Sequence, residues 1–395
     1  MKILLIVDDY LPESTKVAAK MMHELAFELK QQGHTILVVT PDSYQSHKDL
    51  KDHLDDYQGV PIIRFPSGRL KNIPKVFRLI NEFLLPFRAW FYGKSHFKKN
   101  HFDIIIYYSP SIFWGWLIQK LKKLWNAKTY LILRDIFPQW AIDNGILKPN
   151  SLITNFFLYI EKLNYEPADK IGLMSPANLN WFQSYYKGTA NLEVLYNWVS
   201  ESTVTTNESK YRKKLNLEDK IVYIYGGNIG QAQDMMQILL LAKSMKNHEN
   251  VFFLLVGSGD EVPLCHDFIV KEQLSNIKVL EPVPQEEFQV MLSEFDIGLF
   301  CLNKSHKTHN FPGKILGYLS AKIPILGTVN PGNDLVEIVN ELKFGLVSIA
   351  GNSDEFFQNS VILLNPKTRK LLGLNGKKVL NSLFSTESAL KKILS

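Results

Sequence analysis

The chain has 395 residues, of which 46% are hydrophobic and 21% charged, a composition typical of folded globular proteins and not of disordered or fibrous ones. At roughly 150 residues per domain, this length predicts two or three domains. Two cysteines exclude a disulfide framework and a cysteine-rich zinc site. The net charge of +6 lies entirely in residues 1–200, which hold 24 basic and 18 acidic residues, because residues 201–395 hold 21 of each.

The apolar runs of the sequence predict a cytoplasmic location. Residues 3–7 form an apolar run that is too short for a signal peptide. The longest other candidate, residues 104–118, is interrupted by Ser109, Pro110 and Ser111. A membrane-spanning helix needs about 18 or more uninterrupted apolar residues, so we expect none here.

The first half of the chain alternates short apolar runs with helical patterns. A helix is predicted over residues 14–32, which have apolar residues at helical spacing and are followed by Gly33. The predicted strands are residues 2–7, 35–40, 62–65, 103–108, 129–134, 170–174 and 193–196. Such alternation implies a parallel sheet with helices on both faces.

A second alternating series follows a polar stretch at residues 200–210, the best linker candidate. Its predicted strands are residues 221–225, 251–256, 277–280, 296–301, 324–327 and 345–349. Its predicted helices are residues 234–246, 261–272, 285–294, 314–321, 334–341 and 353–364, followed by two terminal helices.

These patterns predict an α/β protein with two doubly wound, Rossmann-like domains that face a central cleft. The expected boundaries are residues 1–199 for the first domain, 200–210 for the linker, 211–370 for the second domain, and 371–395 for carboxyl-terminal helices that pack back on the first domain. Ligands of such sheets bind outside the carboxyl ends of the strands, so we expect the site in the cleft.

Two glycine-containing turns follow the first two strands of the second domain. Gly226-Gly227-Asn228-Ile229-Gly230 follows the first strand, and Gly257-Ser258-Gly259 follows the second. Glycine lets a backbone approach a ligand closely, and a following helix offers free N–H groups to an anion. The alternative is a tight strand-to-helix turn, capped in the second case by Asp260.

A third segment, His309-Asn310-Phe311-Pro312-Gly313-Lys314, leads into a predicted helix. Pro312 and Gly313 would shape its entry, and Lys314 falls in the first turn, where a cation opposes the helix dipole. A bound diphosphate would reverse that cost, which predicts a phosphate site. His309 could donate to a phosphate or a sugar hydroxyl. The alternatives are a solvated surface lysine and an exposed, idle histidine.

Charged residues also follow strands of the first domain. Arg134-Asp135 ends one strand, where parallel sheets bind ligands, or else forms a structural salt bridge that anchors the loop. Asp8 and Asp9 follow the first strand and could cap a loop or position an acceptor hydroxyl.

Two hydroxyl residues follow the same first strand. Ser14 and Thr15 lie at the start of the predicted helix, where an N-cap is the simpler interpretation and substrate binding the alternative.

The segment from Arg69 to Lys99 holds eight basic residues and one acid, Glu82, interleaved with Leu, Ile and aromatic residues. This composition suits a surface that lies on anionic lipid. A polyphosphate backbone is a competing partner, but it would not need so many apolar side chains, so we expect no nucleic acid. The remaining alternative is an internal helix with a solvated basic face.

Several of these segments resemble a known family in their order along the chain. Gly-Gly-Asn-Ile-Gly at 226–230, Val-Gly-Ser-Gly at 256–259, Glu-Pro-Val-Pro at 281–284 and Phe-Asp-Ile-Gly-Leu-Phe at 295–300 resemble the GT-B glycosyltransferases of family 4. The run from Arg134 to Asp143, with Gly145-Ile146-Leu147, resembles a subgroup that adds N-acetyl-fucosamine-type amino sugars in bacterial O-antigen or capsule assembly.

The resemblance implies a UDP-sugar donor held by the second domain and a lipid-linked saccharide acceptor held by the first. It implies that the diphosphate and sugar meet Gly227, Asn228, Ile229, Gly230 and Lys314. It implies that Gly257 and Gly259 lie near the nucleotide and Val283 offers backbone atoms to the uracil. Transfer would retain the anomeric configuration and need no metal, and the enzyme would be peripheral on the inner face of the cell membrane.

The sequence departs from the family at two places. Two glutamates that the family has around the last donor loop are replaced by His309 and Gly317, and residues 230–234 lack the usual Arg and Lys. Lys314 and helix dipoles would then carry the charge of the diphosphate, or activity would be lost. Candidate acids or bases for the acceptor are Asp8, Asp9, Asp135 and His309, and Arg134, Ser14 and Thr15 are candidate acceptor contacts. Two other functions stay open: a UDP-sugar epimerase of the same fold, and a non-catalytic glycolipid-binding scaffold.

Overall fold

The computed structural model describes residues 1–14, 16–43, 54–70, 73–143, 145–200, 210–305 and 311–395. The chain divides into two compact units: the first is Met1–Asn197 with Ala389–Ser395, and the second is Trp198–Ser388. Within the first unit, Lys392 Nζ donates to the Val194 carbonyl at 2.6 Å. Most of the predicted linker, together with Thr15 and His309, lies outside the described residues.

The first unit is an α/β structure built on one sheet of eight strands. The strands are β1 (Lys2–Ile6), β2 (Thr35–Asp42), β3 (Leu54–Tyr57), β4 (Val60–Pro66), β5 (Ile104–Ser109), β6 (Lys128–Leu133), β7 (Lys170–Leu173) and β8 (Asn191–Val194). The helices are α1 (Val17–Gln31), α2 (Lys75–Lys99), α3 (Gly115–Trp125), α4 (Gln139–Asp143), α5 (Leu152–Tyr165) and α6 (Pro176–Tyr185). The strand order β3-β4-β2-β1-β5-β6-β7-β8 places β1, β5 and β6 side by side in the middle of the sheet.

The edge strand β3 was missed by sequence reasoning, and it makes the sheet mixed where a parallel sheet was expected. β3 pairs antiparallel with β4, whereas the other pairings are parallel. Gln58 and Gly59 join the two strands with φ values of +52° and +77°, the backbone of a two-residue hairpin turn. The signal in the sequence was the Gln-Gly pair directly before the apolar run at Val60. β3 itself is polar and half exposed, so it lacks an apolar pattern.

The helix predicted over residues 14–32 begins at Val17 in the structure. Ser14 is not the N-cap of this helix, because Lys16 occupies the N-cap position. The backbone N–H of Lys16 donates to Ser14 Oγ at 3.3 Å. The Ser14 side chain thus closes a short turn ahead of the helix. Its role as an acceptor contact stays a prediction.

The second unit has one parallel sheet of six strands in the order β11-β10-β9-β12-β13-β14. The strands are β9 (Ile221–Asn228), β10 (Val251–Ser258), β11 (Ile277–Leu280), β12 (Ile297–Cys301), β13 (Ile325–Val329) and β14 (Gly345–Ile349). The helices are α7 (Lys210–Leu215), α8 (Met236–Ser244), α9 (Val262–Lys271), α10 (Gln285–Glu294), α11 (Lys314–Ser320), α12 (Leu335–Leu342), α13 (Ser353–Ile362), α14 (Pro366–Leu383) and α15 (Thr386–Leu394), the last of which ends in residues of the first unit.

Each sheet is buried on both sides, as the predicted alternation requires. In the first unit, helices cover strands whose residues Ile3 to Val7 are inaccessible to solvent. In the second sheet, β10 and β11 are added on one side of β9, and β12, β13 and β14 on the other, so the strand order switches between β9 and β12. Such a switch point leaves a crevice at the carboxyl ends of the strands, where doubly wound folds bind ligands. The fold confirms two Rossmann-like α/β domains.

A buried carboxyl group fastens α5 to α6 in the first unit. Glu161 accepts hydrogen bonds from the hydroxyls of Tyr165, at 2.8 Å, and Tyr185. Burial raises the pKa of Glu161 to about 7, against the two hydroxyl donors, which lower it. The folded protein therefore keeps a proton between pH 4.5 and 7 that the unfolded chain has lost, so the free energy of unfolding falls as the pH rises through that window.

Replacing Glu161 with Gln should therefore stabilise the protein at alkaline pH. We expect the melting temperature of Glu161→Gln to exceed that of the wild type by about 2–6 °C at pH 8, because the amide stays neutral, and the difference to shrink toward pH 5. Glu166→Gln, an exposed position just after the same helix, is the matched control and should show no such trend. A difference that grows toward acid pH would contradict a raised pKa at Glu161.

Candidate donor site of the second unit

Two glycine-containing strand ends meet at the carboxyl edge of the second sheet. β9 and β10 continue in register through the pairs Gly227–Gly257 and Asn228–Ser258. A Cβ at Gly257 would overlap the carbonyl oxygen of Gly227, so only glycine permits this approach. Gly227 has a φ of +111°, which also favours glycine. The predicted strand-to-helix turns are thus extended strand ends that lie side by side.

A buried amine lies under this pair of strand ends. Lys314 Nζ lies 3.5 Å from the centroid of the Tyr225 ring, and 3.9 Å from the position a Cβ would take at Gly227. The atom is inaccessible to solvent and has no hydrogen-bond partner among the described residues, which exclude 306–310 just before it. Its interpretation as a solvated surface lysine is therefore wrong.

Burial changes the acid–base behaviour of this amine. It lowers the pKa of Lys314 from 10.5 to about 7, because the charged form loses its water and the nearby Cys301 thiol opposes this only in part. Such a group is poised to gain an anion: a phosphate oxygen would supply both the missing hydrogen-bond acceptor and the missing counter-charge.

The helix after the first glycine turn does not offer all its free N–H groups to a ligand. Glu261 Oε2 accepts the Met235 N–H at 3.0 Å, directly ahead of α8. Asn228 Nδ2 donates to Gln233 Oε1 at 2.6 Å across the turn between them. The amino end of α8 is thus occupied by a carboxylate. A bound anion would therefore depend mainly on Lys314, the cation that the sequence predicted for this edge.

The remaining predicted donor residues lie around the same edge of the sheet. Gly227, Asn228 and Gly259 are exposed, and Val283, Pro312 and Gly313 are half-buried. Ile229 and Gly230 are buried, and the Ile229 N–H donates to the Ser258 carbonyl at 2.9 Å. Asp260 does not cap the following helix, since the N-cap position belongs to Glu261.

Sequence reasoning missed two aromatic residues that hold this site. Tyr318 accepts from the Gly226 N–H at 3.2 Å and donates to the Leu299 carbonyl at 2.9 Å, which joins α11 to β9 and β12. Tyr225 donates to the Asn228 carbonyl and places its ring against the Lys314 amine. The available signal was the spacing of Lys314 and Tyr318, which are four residues apart and so share one face of α11.

In the first unit, Arg134 is a structural residue of the carboxyl edge. Its guanidinium donates to Asn197 Oδ1 at 2.7 Å and to the carbonyls of Leu133, Gly172 and Tyr196 at 3.1 to 3.3 Å. These bonds tie the ends of β6, β7 and β8 together. The anchoring alternative for Arg134 therefore has direct support, through carbonyl and amide oxygens of the neighbouring strand ends.

Two carboxyl groups flank Tyr108 at the same edge. Asp8 follows β1 and Asp135 follows β6, on either side of β5, and the charges of both act on the Tyr108 hydroxyl. Loss of water raises the pKa of Asp8 to about 6, although Lys16 opposes the change. The surrounding protein also raises the pKa of Asp135, against the attraction of Arg134. The structure thus brings two of the predicted acid–base candidates together.

Asp9 lies in a different setting from these two carboxyl groups. It is buried, and its Oδ2 atom forms an ion pair with Lys16 Nζ at 3.0 Å. The pair joins two residues near the ends of the segment between β1 and α1. Asp9 is therefore placed to shape this loop, while Asp135 reaches solvent at the sheet edge.

The described residues contain neither a metal-binding cluster nor a helix that could span a membrane. Within them, His, Cys, Asp and Glu nowhere gather in groups of three or more that could hold a metal ion. Of the helices that the structure describes, not one combines the length and apolarity needed to span a bilayer.

Comparison with known proteins identifies the class. Residues 18–203 match the model of Glycosyltransferase Family 4, and residues 207–379 match that of Glycosyl transferases group 1. With both family models matched and two Rossmann-like units, the chain is a GT-B glycosyltransferase. Within that class it belongs to glycosyltransferase family 4.

Individual relatives are distant. The chain is 23% identical over 221 residues to WbjE of Pseudomonas aeruginosa, named as a glycosyltransferase, and the alignment spans 55% of each protein. It is 22% identical over 341 residues, 81% of each chain, to WcaI of Escherichia coli, named for colanic acid biosynthesis. HepE of Anabaena, solved in complex with UDP, shares the fold with a TM-score of 0.71 at 14% identity, over 100% of this chain and 98% of that one.

The buried Lys314 amine should cost stability when no ligand is bound. We expect Lys314→Met to raise the melting temperature of the ligand-free protein, by about 2–4 °C for each kcal/mol recovered, because an apolar side chain needs no partner there. The pKa of Lys314 is lowered in the folded state, so wild-type stability rises with pH between 7 and 10.5, and the advantage of the variant should shrink over that range.

The control for this experiment is Lys278→Met, at an exposed position on β11, which should leave the melting temperature nearly unchanged. A lower melting temperature for Lys314→Met at pH 7 would mean that the amine is stabilised in the free protein, and would remove the argument for a prepared anion site.

Proposed function

We propose that the enzyme transfers a sugar from a UDP-sugar to a lipid-linked saccharide during the synthesis of a bacterial surface polysaccharide. The donor sugar would be an amino sugar of the N-acetyl-fucosamine type. That choice has its support in the segment from Arg134 to Asp143 and its likeness to the corresponding subgroup. The second unit would bind the donor and the first unit the acceptor.

The observation that carries the donor proposal is the Lys314 amine, buried beside Gly227 and without a hydrogen-bond partner in the described part of the chain. A diphosphate is the anion that a glycosyltransferase must hold and then release. Its negative charge grows as the glycosidic bond breaks, so a cation fixed in a site of low dielectric stabilises the transition state more than the ground state. Lys314 would thus replace the Arg and Lys that residues 230–234 lack.

The solved relatives support the choice of nucleotide. HepE was solved with UDP and with UDP-glucose, and it shares the fold over the whole chain. In the proposed site, Gly227, Asn228, Ile229 and Gly230 would face the diphosphate and sugar, Gly257 and Gly259 the nucleoside, and Val283 the uracil, with Pro312 and Gly313 shaping the approach to Lys314.

For the acceptor, we assign the proton of the attacking hydroxyl to Asp135. Its carboxyl group reaches solvent at the sheet edge, and its raised pKa makes it a stronger base than an ordinary aspartate. Asp9 is the weaker candidate, because its carboxylate is already neutralised by Lys16. Arg134 would hold the loop that carries Asp135, and Ser14 would line the neighbouring loop.

The sugar would pass through an oxocarbenium-like state and keep its anomeric configuration, and no metal ion is part of the proposal. His309 and Thr15 keep their proposed roles, donation to the sugar or phosphate and contact with the acceptor, from the sequence alone. The enzyme would work in the cytoplasm at the inner face of the cell membrane, attached through the segment from Arg69 to Lys99. WcaI, named for colanic acid biosynthesis, supports a lipid-linked acceptor by analogy.

Binding of UDP tests the donor site directly. Lys314→Ala should weaken UDP affinity at pH 7, by about 10-fold to 100-fold, because charge-assisted hydrogen bonds contribute about 1.5–3 kcal/mol. In the wild type, affinity should fall as the pH rises above 7, by up to about tenfold per pH unit, since the amine must gain a proton to bind. The terminal phosphate of UDP, which loses its second proton near pH 6, is almost fully ionised above pH 7, so it does not cause this fall in affinity. Isothermal titration from pH 7 to 9 measures both effects.

Lys278→Ala is again the matched control and should keep the wild-type affinity and pH dependence. A flat pH profile in the wild type, or equal UDP affinity in Lys314→Ala, would remove Lys314 from the donor site. GDP or NAD binding in place of UDP would keep the fold but change the donor. No binding of any nucleotide would favour the scaffold hypothesis, and conversion of the donor sugar without acceptor would favour the epimerase hypothesis.

Transfer itself tests Asp135. We expect Asp135→Asn to lower kcat by about 100-fold to 10,000-fold while UDP affinity stays within twofold, because general-base catalysis contributes that much. Asp103→Asn, which changes a carboxyl at the opposite end of β5, is the control. Release of UDP from a UDP-amino sugar with a lipid-linked acceptor provides the assay. Unchanged kcat in Asp135→Asn would exclude the base role.

A further inference from the structure

Seven aromatic rings in the first unit form a continuous series of contacts, which we call the aromatic band. It begins in α4 and the loop before that helix, crosses α5 and α2, and ends on α3. In order, its rings are Trp140, Phe137, Phe157, Phe156, Phe83, Phe87 and Trp116, with successive centroid distances of 5.9, 4.9, 5.5, 6.3, 5.9 and 4.8 Å. Each distance lies in the range of favourable aromatic pairs.

Most of the band faces outward instead of completing a core. Five of its rings, all except Phe137 and Phe157, are 37 to 41% exposed. Beside it, the first turn of α5 presents Leu152 and Ile153, which are 89% and 61% exposed. A contiguous apolar surface of this kind on a folded protein marks an interaction site.

The charges around the band restrict the class of partner. Helices α2 and α3 carry nine basic residues and one acid, Glu82, which already pairs with Arg78 at 2.8 Å. The cations reach the rings themselves: Lys120 Nζ lies 5.3 Å from the Trp116 ring centroid. Residues 152–160 of α5 contain no charged residue at all. The partner must therefore accept aromatic and aliphatic side chains next to its negative charges.

We propose that the aromatic band, together with Leu152 and Ile153, docks on the interfacial region of an anionic phospholipid bilayer. Aromatic rings and lysines together are characteristic of the region where headgroups meet acyl chains. A second copy of the same surface would instead bring its positive charges against those of the first, since a twofold interface pairs identical patches. A nucleic acid would pair with the lysines but leave Leu152 and Ile153 in water.

The inference differs from simple adsorption of the basic segment. The segment from Arg69 to Lys99 supplies only Phe83 and Phe87 to the band, and its buried side, formed by Leu85, Ala89 and Phe97, packs in the core. The inserting residues at the start of α5 lie more than fifty positions further along the chain. The alternative of an internal helix with a basic face thus holds for one side of α2 only.

One consequence rests on the proposed function. Phe137 and Trp140, the first two rings of the band, lie two and five residues after Asp135 in the chain. Docking of the band would bring the loop that carries Asp135 to the level of the headgroups, where the saccharide of a lipid-linked acceptor projects from the bilayer.

Vesicle binding tests the proposal on the full chain. Sedimentation would use phosphatidylcholine vesicles with and without 30% phosphatidylglycerol. We expect the wild type to bind the anionic vesicles. Leu152→Ser/Ile153→Ser should bind them at least about tenfold more weakly, because two inserted side chains are lost. Val270→Ser/Leu371→Ser, which removes two comparably exposed apolar residues of the second unit, should bind like the wild type. Lys94→Glu/Lys98→Glu should lose the preference for anionic lipid.

Bromolipid quenching of tryptophan fluorescence gives an independent readout. We expect the wild type to be quenched, and Trp116→Phe/Trp140→Phe to lose most of that quenching while it still sediments with vesicles. Wild-type binding by Leu152→Ser/Ile153→Ser would overturn the proposal, as would no binding by the wild type, or a wild-type dimer that this variant dissociates. The melting temperature of each variant shows whether it is folded, and UDP titration of the same variants keeps a failure of docking distinct from a failure of the donor proposal.

Discussion

The close approach of Gly227 and Gly257 is the constraint on which the donor edge of the second unit depends. Any side chain at Gly257 would overlap the Gly227 carbonyl, so two strand ends lie against each other with bare backbone where other sheets have side chains. The amine of Lys314 lies beneath these strand ends and is inaccessible to solvent. A lysine in that position has lost hydration and gained, within the described residues, no acceptor in return. A buried amine without an acceptor therefore lies at the edge where a doubly wound sheet binds ligands, and a bound anion would supply its missing counter-charge.

The two units use charge in opposite ways. Residues 201–395, which include nearly all of the second unit, carry no net charge, yet that unit isolates one amine in a site of low dielectric, where a single charge acts strongly on a bound anion. Residues 1–200, which include nearly all of the first unit, hold the whole excess of the chain and spread it over exposed helices, where each charge is screened and only the sum attracts a partner. The first arrangement suits recognition of one diphosphate in a fixed geometry. The second suits attraction to an extended anionic surface, which needs no fixed geometry.

The sequence predicted most of the fold because apolar runs and glycine-ended helices are strong local signals in buried parallel sheets. It failed at β3, whose polar residues carry no such pattern, and its signal was a Gln-Gly turn instead. Within the site it identified Lys314 from an unfavourable helix position, but it could not show that the amine is buried, since the burial depends on Tyr225, Gly227 and α11 meeting in space. The same limit hid the aromatic band. Phe83 and Phe156 are 73 positions apart, and no pattern along the chain relates them.

The loop after β6 combines three roles that a local pattern would assign to separate places. Arg134 is committed to the ends of the neighbouring strands, which fixes where the loop leaves the sheet. Asp135 then projects at the edge, and Phe137 turns the chain into the aromatic cluster with Phe157. Because a rigid anchor, a titratable group and an apolar contact follow one another within four residues, movement of the aromatic contact would be felt at the carboxyl group. If the band docks as proposed, that binding would position Asp135 through a loop whose other end the Arg134 guanidinium holds.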